Sequence, residues 1–152
     1  MGKRALKKSV EQLQQLFDVL GEYGGTIETK KPENWWTLDL EVVEIDGDKK
    51  DIMIGVFKEL NGDIMFDPQI KLTLTMENGK VADAEIHEFS NTTIFGTSVV
   101  DADGMLHMNG MTEKSPQGLR SLFEGFMNNM VEQGPYLKDP KKVTKYTKAL
   151  TD

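Results

Sequence analysis

The chain contains no cysteine, and this absence excludes disulfide bonds, thiolate metal sites and a cysteine nucleophile. It has only two histidines, His87 and His107, so a zinc site built from three histidines is also excluded. The glycine motifs that bind nucleotides, the serine elbow of α/β hydrolases and the zinc-protease helix motif are all missing. These absences remove the most familiar enzyme classes, and we predict no cofactor.

Long apolar runs are absent as well. The basic start over residues 1–8 is not followed by the apolar stretch of a signal peptide, and no run approaches the roughly 20 apolar residues of a membrane span. We therefore expect a soluble, cytoplasmic protein that makes no contact with a membrane.

The net charge of −7 is unevenly distributed along the 152 residues. Residues 1–8 carry four basic groups and no acidic group, and residues 136–152 carry five lysines and two aspartates, so the body carries nine basic and 23 acidic groups. A body this acidic repels phosphate, which argues against nucleic-acid binding. We expect one domain over 9–135, with a basic N-terminal tail at 1–8 and a basic C-terminal tail at 136–152.

Two amphipathic helices are predicted, one near each end of the body. Apolar residues at helical spacing indicate a first helix over 10–22, with Ser9 and Gln12 as a capping box. A second helix is predicted to begin at Ser115 and Pro116 and to end at Gly134. Its apolar stripe consists of Leu119, Leu122, Phe123, Phe126, Met127, Met130 and Val131.

Alternating apolar and polar residues between the helices indicate β-strands. The predicted strands cover residues 35–45, 51–60, 69–76, 80–89, 92–100 and 104–111. Short turns such as Asn61-Gly62 and Asn78-Gly79 connect them, which is typical of an antiparallel meander. The predicted fold class is therefore α+β, an antiparallel meander sheet of five to six strands with an N-terminal and a C-terminal amphipathic helix packed on it.

Four polar residues form the best candidate for a chemical site. Glu85 and His87 point to the same side of a strand, and a hairpin that brought Asp63 or Asp67 near them would create a site for Mg²⁺ or Mn²⁺. The alternative is that Glu85 and His87 belong to the solvent face of the strand, while Asp63 and Asp67 bond their own backbone in turns. The metal hypothesis implies a metal-dependent hydrolase.

Aromatic and methionine residues are candidates for binding apolar groups. Trp35 faces away from the predicted core, so it is either an anchor for a partner or a residue covered by a loop. Trp35 and Phe57, with the methionines, are also candidates to line a small-molecule site between the sheet and a helix. The alternative, which we favour for Met105, Met108 and Met111, is that methionine fills the core.

The segment Asn61-Gly62-Asp63-Ile64-Met65-Phe66-Asp67-Pro68, followed by an apolar strand, resembles the hairpin signature of an uncharacterised bacterial family. Members of that family are small proteins of unknown function encoded on plasmids and phage-like elements. The similarity covers roughly residues 13–135, and it departs at 81–85, which lacks the aromatic and proline positions typical of the family. The resemblance implies an α+β fold and a mobile-element setting, and it supplies no catalytic residue.

Three functions are compatible with the sequence. The favoured one is a non-enzymatic interaction protein that presents an acidic sheet face or an edge strand to another protein, with a homodimer as one option. The alternatives are a small-molecule-binding domain and the hydrolase that would use Asp63, Asp67, Glu85 and His87.

Overall fold

Two helices and nine strands form the regular structure in the computed structural model, which describes residues 6–30, 35–60, 62–93 and 96–151. The helices are α1 (Lys7–Leu20) and α2 (Leu119–Met127), and α2 continues into a π-helical turn (Asn128–Glu132). The strands are β1 (Gly24–Thr29), β2 (Thr37–Asp46), β3 (Lys49–Leu60), β4 (Asp63–Glu77), β5 (Lys80–Thr93), β6 (Gly96–Val100), β7 (Met105–Met108), β8 (Met111–Lys114) and β9 (Pro140–Lys145).

All nine strands belong to one antiparallel sheet in the order β8-β7-β6-β5-β4-β3-β2-β1-β9. Strands β1 to β8 form a meander, and β9 returns after α2 to pair with β1. The predicted α+β class with an antiparallel sheet is confirmed, but the predicted five to six strands are wrong. The prediction missed β1, β8 and β9, because β1 begins with two glycines, β8 is only four residues long, and lysines dominate β9.

Helix α1 covers the sheet with a stripe of buried residues that includes Leu13, Leu16 and Leu20. It begins at Lys7, earlier than predicted, and the predicted capping box is wrong. Ser9 and Gln12 are both 3% exposed inside the helix, and the N-cap position is Leu6, which makes no side-chain cap. The side chains of Ser9 and Gln12 are therefore buried by tertiary packing, and they do not cap the helix.

Helix α2 is shorter than predicted because its first turn starts at Leu119. Its N-cap is Gly118, so Ser115 and Pro116 lie before the helix and do not form its cap. Phe123 and Met127 are fully buried, and the helical conformation ends at Glu132, before Gly134 as predicted. No helix in the described ranges is long and apolar enough to cross a membrane.

The core lies between the two helices and one face of the sheet, here called the covered face. Register places Leu40 opposite Ile54 and Ile54 opposite Ile70, and all three side chains are fully buried with the helical residues. The alternate residues of the same strands point to the other side, here called the uncovered face, because no helix packs on it within the described residues. Most side chains of the uncovered face are polar and half-buried or exposed.

The C-terminal segment is part of the fold, and this corrects the solvated tail predicted over 136–152. Tyr136 is fully buried, and its hydroxyl donates a hydrogen bond of 2.5 Å to the Trp36 carbonyl oxygen. After β9, the N–H groups of Leu150 and Thr151 donate to carbonyl oxygens of β2, at 2.9 and 3.0 Å. The domain boundary predicted at 135 is therefore too early. At the other end, residues 1–5 of the predicted tail lie outside the described residues, and Lys7 begins α1.

Candidate functional site

The four residues of the predicted metal site are not brought together. Glu85 on β5 pairs with Thr73 on β4, whereas Asp67 lies six positions before Thr73 on that strand, which corresponds to about 20 Å at the usual rise. Asp63 is still further away, at the start of β4. Within the described residues, no group of three or more histidine and carboxylate side chains is arranged to hold a metal ion.

The predicted aromatic lining lies on the uncovered face and not between the sheet and a helix. Phe57 packs against Phe66 with ring centroids 5.7 Å apart, and it pairs with Thr37 on β2. Trp35 lies two residues before Thr37 and is 42% exposed. The favoured interpretation of the methionines as core filler is also wrong for two of them, because Met108 and Met111 are 47% and 68% exposed.

His87 takes part in a chain of hydrogen bonds on the uncovered face. The register of β4 and β5 shifts between Lys71 and Leu72, and His87 is the extra residue of this bulge. The Thr73 hydroxyl donates to Asp51 Oδ1 at 2.7 Å, and Thr73 Oγ1 lies 2.7 Å from His87 Nε2. A threonine hydroxyl has one hydrogen, so His87 Nε2–H is the donor of the second bond. The imidazole therefore presents an N–H group to Thr73. Activation of the threonine hydroxyl as a nucleophile would require a lone pair of the imidazole at this position.

This chain of hydrogen bonds lies in a shallow depression of about 400 Å³. Lys71, which borders the depression, forms an ion pair with Glu88 at 3.4 Å. The residues around the depression are Val43, Asp51, Ile52, Met53, Lys71, Leu72, Thr73 and His87. The depression offers both polar groups and apolar surface to a small molecule, but its polar groups already satisfy one another.

One edge of strand β5 has no neighbouring strand along the first part of its length within the described chain. Strand β6 pairs with β5 over residues 89–93, so residues 80–88 have β4 as their one neighbouring strand within the described chain. Two N–H groups along this free edge use side chains in place of a strand. Val81 donates to Gln14 Oε1 at 2.8 Å, and Ala84 donates to Asp83 Oδ1 at 2.9 Å. The middle of the free edge therefore has no backbone partner among the residues that the structure describes.

A groove of about 890 Å³ runs along this free edge, here called the β5 groove. Besides residues 83–86 of β5, it is lined by the turn at 102–104, by residues 118–120 at the start of α2 and by Leu6. Its carboxylates are Asp83, Glu85 and Asp103, none of which forms an ion pair in the described part of the chain. Its one arginine, Arg120, is paired with Glu124 at 3.1 Å. The groove is therefore acidic.

A buried carboxyl group on the uncovered face was not found from the sequence. Asp39 is 2% exposed, and burial raises its pKa to about 8, although a hydrogen bond from Tyr146 opposes the shift. The Tyr146 hydroxyl donates to Asp39 Oδ1 at 2.5 Å. In sequence, Asp39 falls on the polar side of an alternating strand, and nothing in that pattern indicates that Tyr146, 107 positions away, will cover it.

The second histidine fixes a turn at the end of the sheet. His107 Nε2 lies 2.7 Å from Asp101 Oδ2, and its Nδ1 lies 3.1 Å from Thr112 Oγ1. The Asp101 carboxylate also accepts the N–H groups of Asp103 and Met105, and its hydrogen bonds, with that from His107 the strongest, lower the pKa of Asp101. Because His107 is exposed and lines none of the grooves described above, this cluster stabilises the turn before β7.

Comparison with known proteins finds no matching family model, no similar curated protein and no similar solved structure.

Proposed function

We propose that this chain is a non-enzymatic protein-binding domain that takes up an extended segment of a partner protein along the free edge of β5. The observation that carries the proposal is the coincidence of an unpaired strand edge over residues 80–88 with the β5 groove. An extended segment that adds to a sheet edge forms main-chain hydrogen bonds, and the walls of a groove select its side chains.

The contrast between two free edges of the same sheet supports this assignment. One outer edge of the sheet is β9, and it carries Pro140, Lys141, Lys142 and Lys145, residue types that discourage edge-to-edge pairing. The free edge of β5 carries the small residues Ala82 and Ala84 and has neither proline nor lysine between Val81 and Glu88. The β5 edge is therefore open to a strand, whereas the β9 edge is protected from one.

The acidic residues at the β5 edge favour a different protein as the partner and disfavour a second copy of the same chain. Pairing two β5 edges in a homodimer would place Asp83 and Glu85 of each copy near the same residues of the other. Like charges on neighbouring strands destabilise the pairing. A homodimer remains a prediction for other surfaces, and so does the mobile-element setting implied by the resemblance at 61–68.

The test combines site-specific crosslinking with a block of the edge. A photoreactive amino acid replaces the exposed Ala82 beside the β5 groove, or Val143 on β9 as the control, and crosslinking is carried out in cells of the source organism. We expect a discrete partner from position 82 and none from position 143. The additional change Ala84→Pro removes an N–H that faces away from β4, which proline tolerates at an edge. It is expected to abolish the crosslink without unfolding the protein.

Three outcomes would contradict the proposal: crosslinks from position 143 alone, no crosslink from position 82, or a crosslink at 82 that persists in the folded Ala84→Pro variant. A thermal melt of each variant checks that the fold is retained. Ala84→Pro affects the free edge and not the pairing of β5 with β4, because the Ala84 N–H donates to the Asp83 side chain and not to the neighbouring strand.

The depression around Thr73 favours a second candidate function, the binding of a small molecule. Its volume of about 400 Å³ lies within the range of small ligand sites. A thermal-shift screen tests this candidate, since a ligand at 100 times its Kd stabilises a protein by about 2.7 kcal/mol. The expected hit loses its effect in Thr73→Val, and a screen without hits would argue against this function.

A further inference from the structure

We infer that the segment bound in the β5 groove alternates basic and apolar residues, a conclusion that rests on the proposed function and names the chemistry of its partner. The free edge has a different surface on each side, an apolar one toward the covered face and an acidic one toward the uncovered face.

The register of β5 against β4 assigns each edge residue to a face of the sheet. Ala84 pairs with Leu74 and Ile86 pairs with Leu72, and both leucines are buried on the covered face. Asp83 pairs with Thr75 and Glu85 with Thr73. Apolar and acidic side chains therefore alternate along the free edge, with the acidic ones on the uncovered face.

A strand added to this edge continues the pleat of the sheet, so its side chains also alternate between the two faces. Those that point to the covered face enter the space near Ala84 and Ile86, which Leu6 and Leu119 also line. Those that point to the uncovered face lie beside Asp83 and Glu85. Opposite charges on neighbouring strands stabilise the pairing, so lysine or arginine fits the second set and aliphatic residues fit the first.

Among the described residues that line the groove, the one cation is Arg120. Arg120 is engaged by Glu124 at 3.1 Å, and its neighbours along the groove carry no positive charge. Asp103 adds a third carboxylate to the lining of the groove. A basic segment therefore meets an unneutralised acidic groove, whereas an acidic segment would be repelled.

Two synthetic ten-residue peptides of identical composition test the alternation. One alternates lysine and valine, the other places all lysines before all valines, and each carries a fluorophore for anisotropy measurements. The proteins are the wild type, Glu85→Lys in the groove, and Glu113→Lys as a matched control on the exposed β8 edge. The two substitutions change the net charge equally, so they separate local pairing from overall attraction.

We expect the alternating peptide to bind the wild type at least about tenfold more tightly than the block peptide. Glu85→Lys should weaken its binding by about tenfold, and Glu113→Lys should leave it unchanged. Amide exchange at Ala84 and Ile86 should slow when the alternating peptide is added, because their N–H groups point away from β4.

Equal binding of the two peptides, with loss in Glu85→Lys, would overturn the alternation and leave the proposed function standing. Equal weakening by Glu85→Lys and Glu113→Lys would overturn the inference, because attraction would then be unspecific. Absence of binding by both peptides would also overturn it. The proposed function fails separately, through the crosslinking experiment at positions 82 and 143.

Discussion

The two faces of the sheet are built from the same strands but satisfy their side chains in different ways. On the covered face, Leu40, Ile54 and Ile70 are fully buried among the residues of the two helices. On the uncovered face, the Asp51 carboxylate and the His87 ring are linked through the hydroxyl of Thr73, and Lys71 pairs with Glu88. One face is held by the burial of apolar area, and the other by short polar contacts between neighbouring strands.

Asp39 does not follow this difference between a buried apolar face and an open polar face. It belongs to the polar set of β2, yet it is as inaccessible as the aliphatic residues of the core. The C-terminal segment causes this burial, because Tyr146 follows β9 directly and reaches over β1 to Asp39 on β2. A short covered region therefore exists on the face that is otherwise open.

Replacing Asp39 with asparagine is expected to have the largest effect, and this effect grows with pH. Folding raises the pKa of Asp39, chiefly through burial, from 3.8 to about 8. A carboxyl group with a raised pKa stabilises the folded state fully below about pH 4, and this contribution is lost as the pH rises through about 8. Relative to Asp39→Asn, the free energy of unfolding of the wild type should fall by about 1.4 kcal/mol per pH unit in this window.

Urea unfolding of both proteins in steps between pH 4 and pH 8 measures this difference. Ionisable groups distant from Asp39 contribute equally to the two proteins, so the difference reports Asp39 together with the neighbouring Glu41 that interacts with it. A difference that stays constant across the window would show that Asp39 does not take up a proton on folding.

The second largest effect is expected from Ile54→Ala on the covered face. Ile54 is fully buried, so the substitution removes apolar contacts and leaves a cavity that costs about 2–5 kcal/mol of unfolding free energy. The neighbouring Met53 points to the uncovered face and is only half-buried, so Met53→Ala should cost less than about 1.5 kcal/mol. Denaturant unfolding at one pH measures both values. Equal losses would contradict the division of the sheet into a packed face and an open one.

The period of two along the central strands was sufficient to predict which residues form the core. The alternation over residues 35–45 predicts that Leu38, Leu40 and Val42 share one side of a strand, and all three are buried on the covered face. The edges could not be predicted in the same way. β9 carries lysines because it borders solvent, so its sequence is typical of a tail, and only pairing with β1 makes it a strand.

The candidate site was harder to predict because it depends on contacts between distant positions. Glu85 was identified as a polar strand residue, but the free edge beside it arises because β6 begins its pairing at residue 89. The register shift next to His87, which turns this ring toward Thr73, also leaves no trace in the alternation of residues 80–89. A periodic pattern reports which side of a strand is buried, and it carries no information about where a neighbouring strand ends.

Of these substitutions at Asp39, Ile54 and Tyr146, Tyr146→Phe is expected to change the unfolding free energy least. It tests how Tyr146 is held over Asp39 on the uncovered face. Tyr146 pairs through its backbone with Gly24, whose φ is +79° and where a Cβ would lie 2.0 Å from the Leu40 carbonyl oxygen. Gly24 therefore lets the backbones of β1 and β2 approach closely beside β9, and the Tyr146 hydroxyl reaches across β1 to Asp39 on β2. Removing the hydroxyl leaves the buried carboxyl group without this donor, at a cost of about 1–3 kcal/mol.

Tyr23→Phe, at a half-buried tyrosine next to Gly24, serves as the matched control and should change the unfolding free energy by less than about 0.5 kcal/mol. In the double variant Asp39→Asn with Tyr146→Phe, the two effects should not add, because both substitutions alter the same hydrogen bond. Additive effects would mean that the two side chains stabilise the fold independently. In that case Asp39 would be buried by the neighbouring strands themselves, and the C-terminal segment would lie over a face that is closed without it.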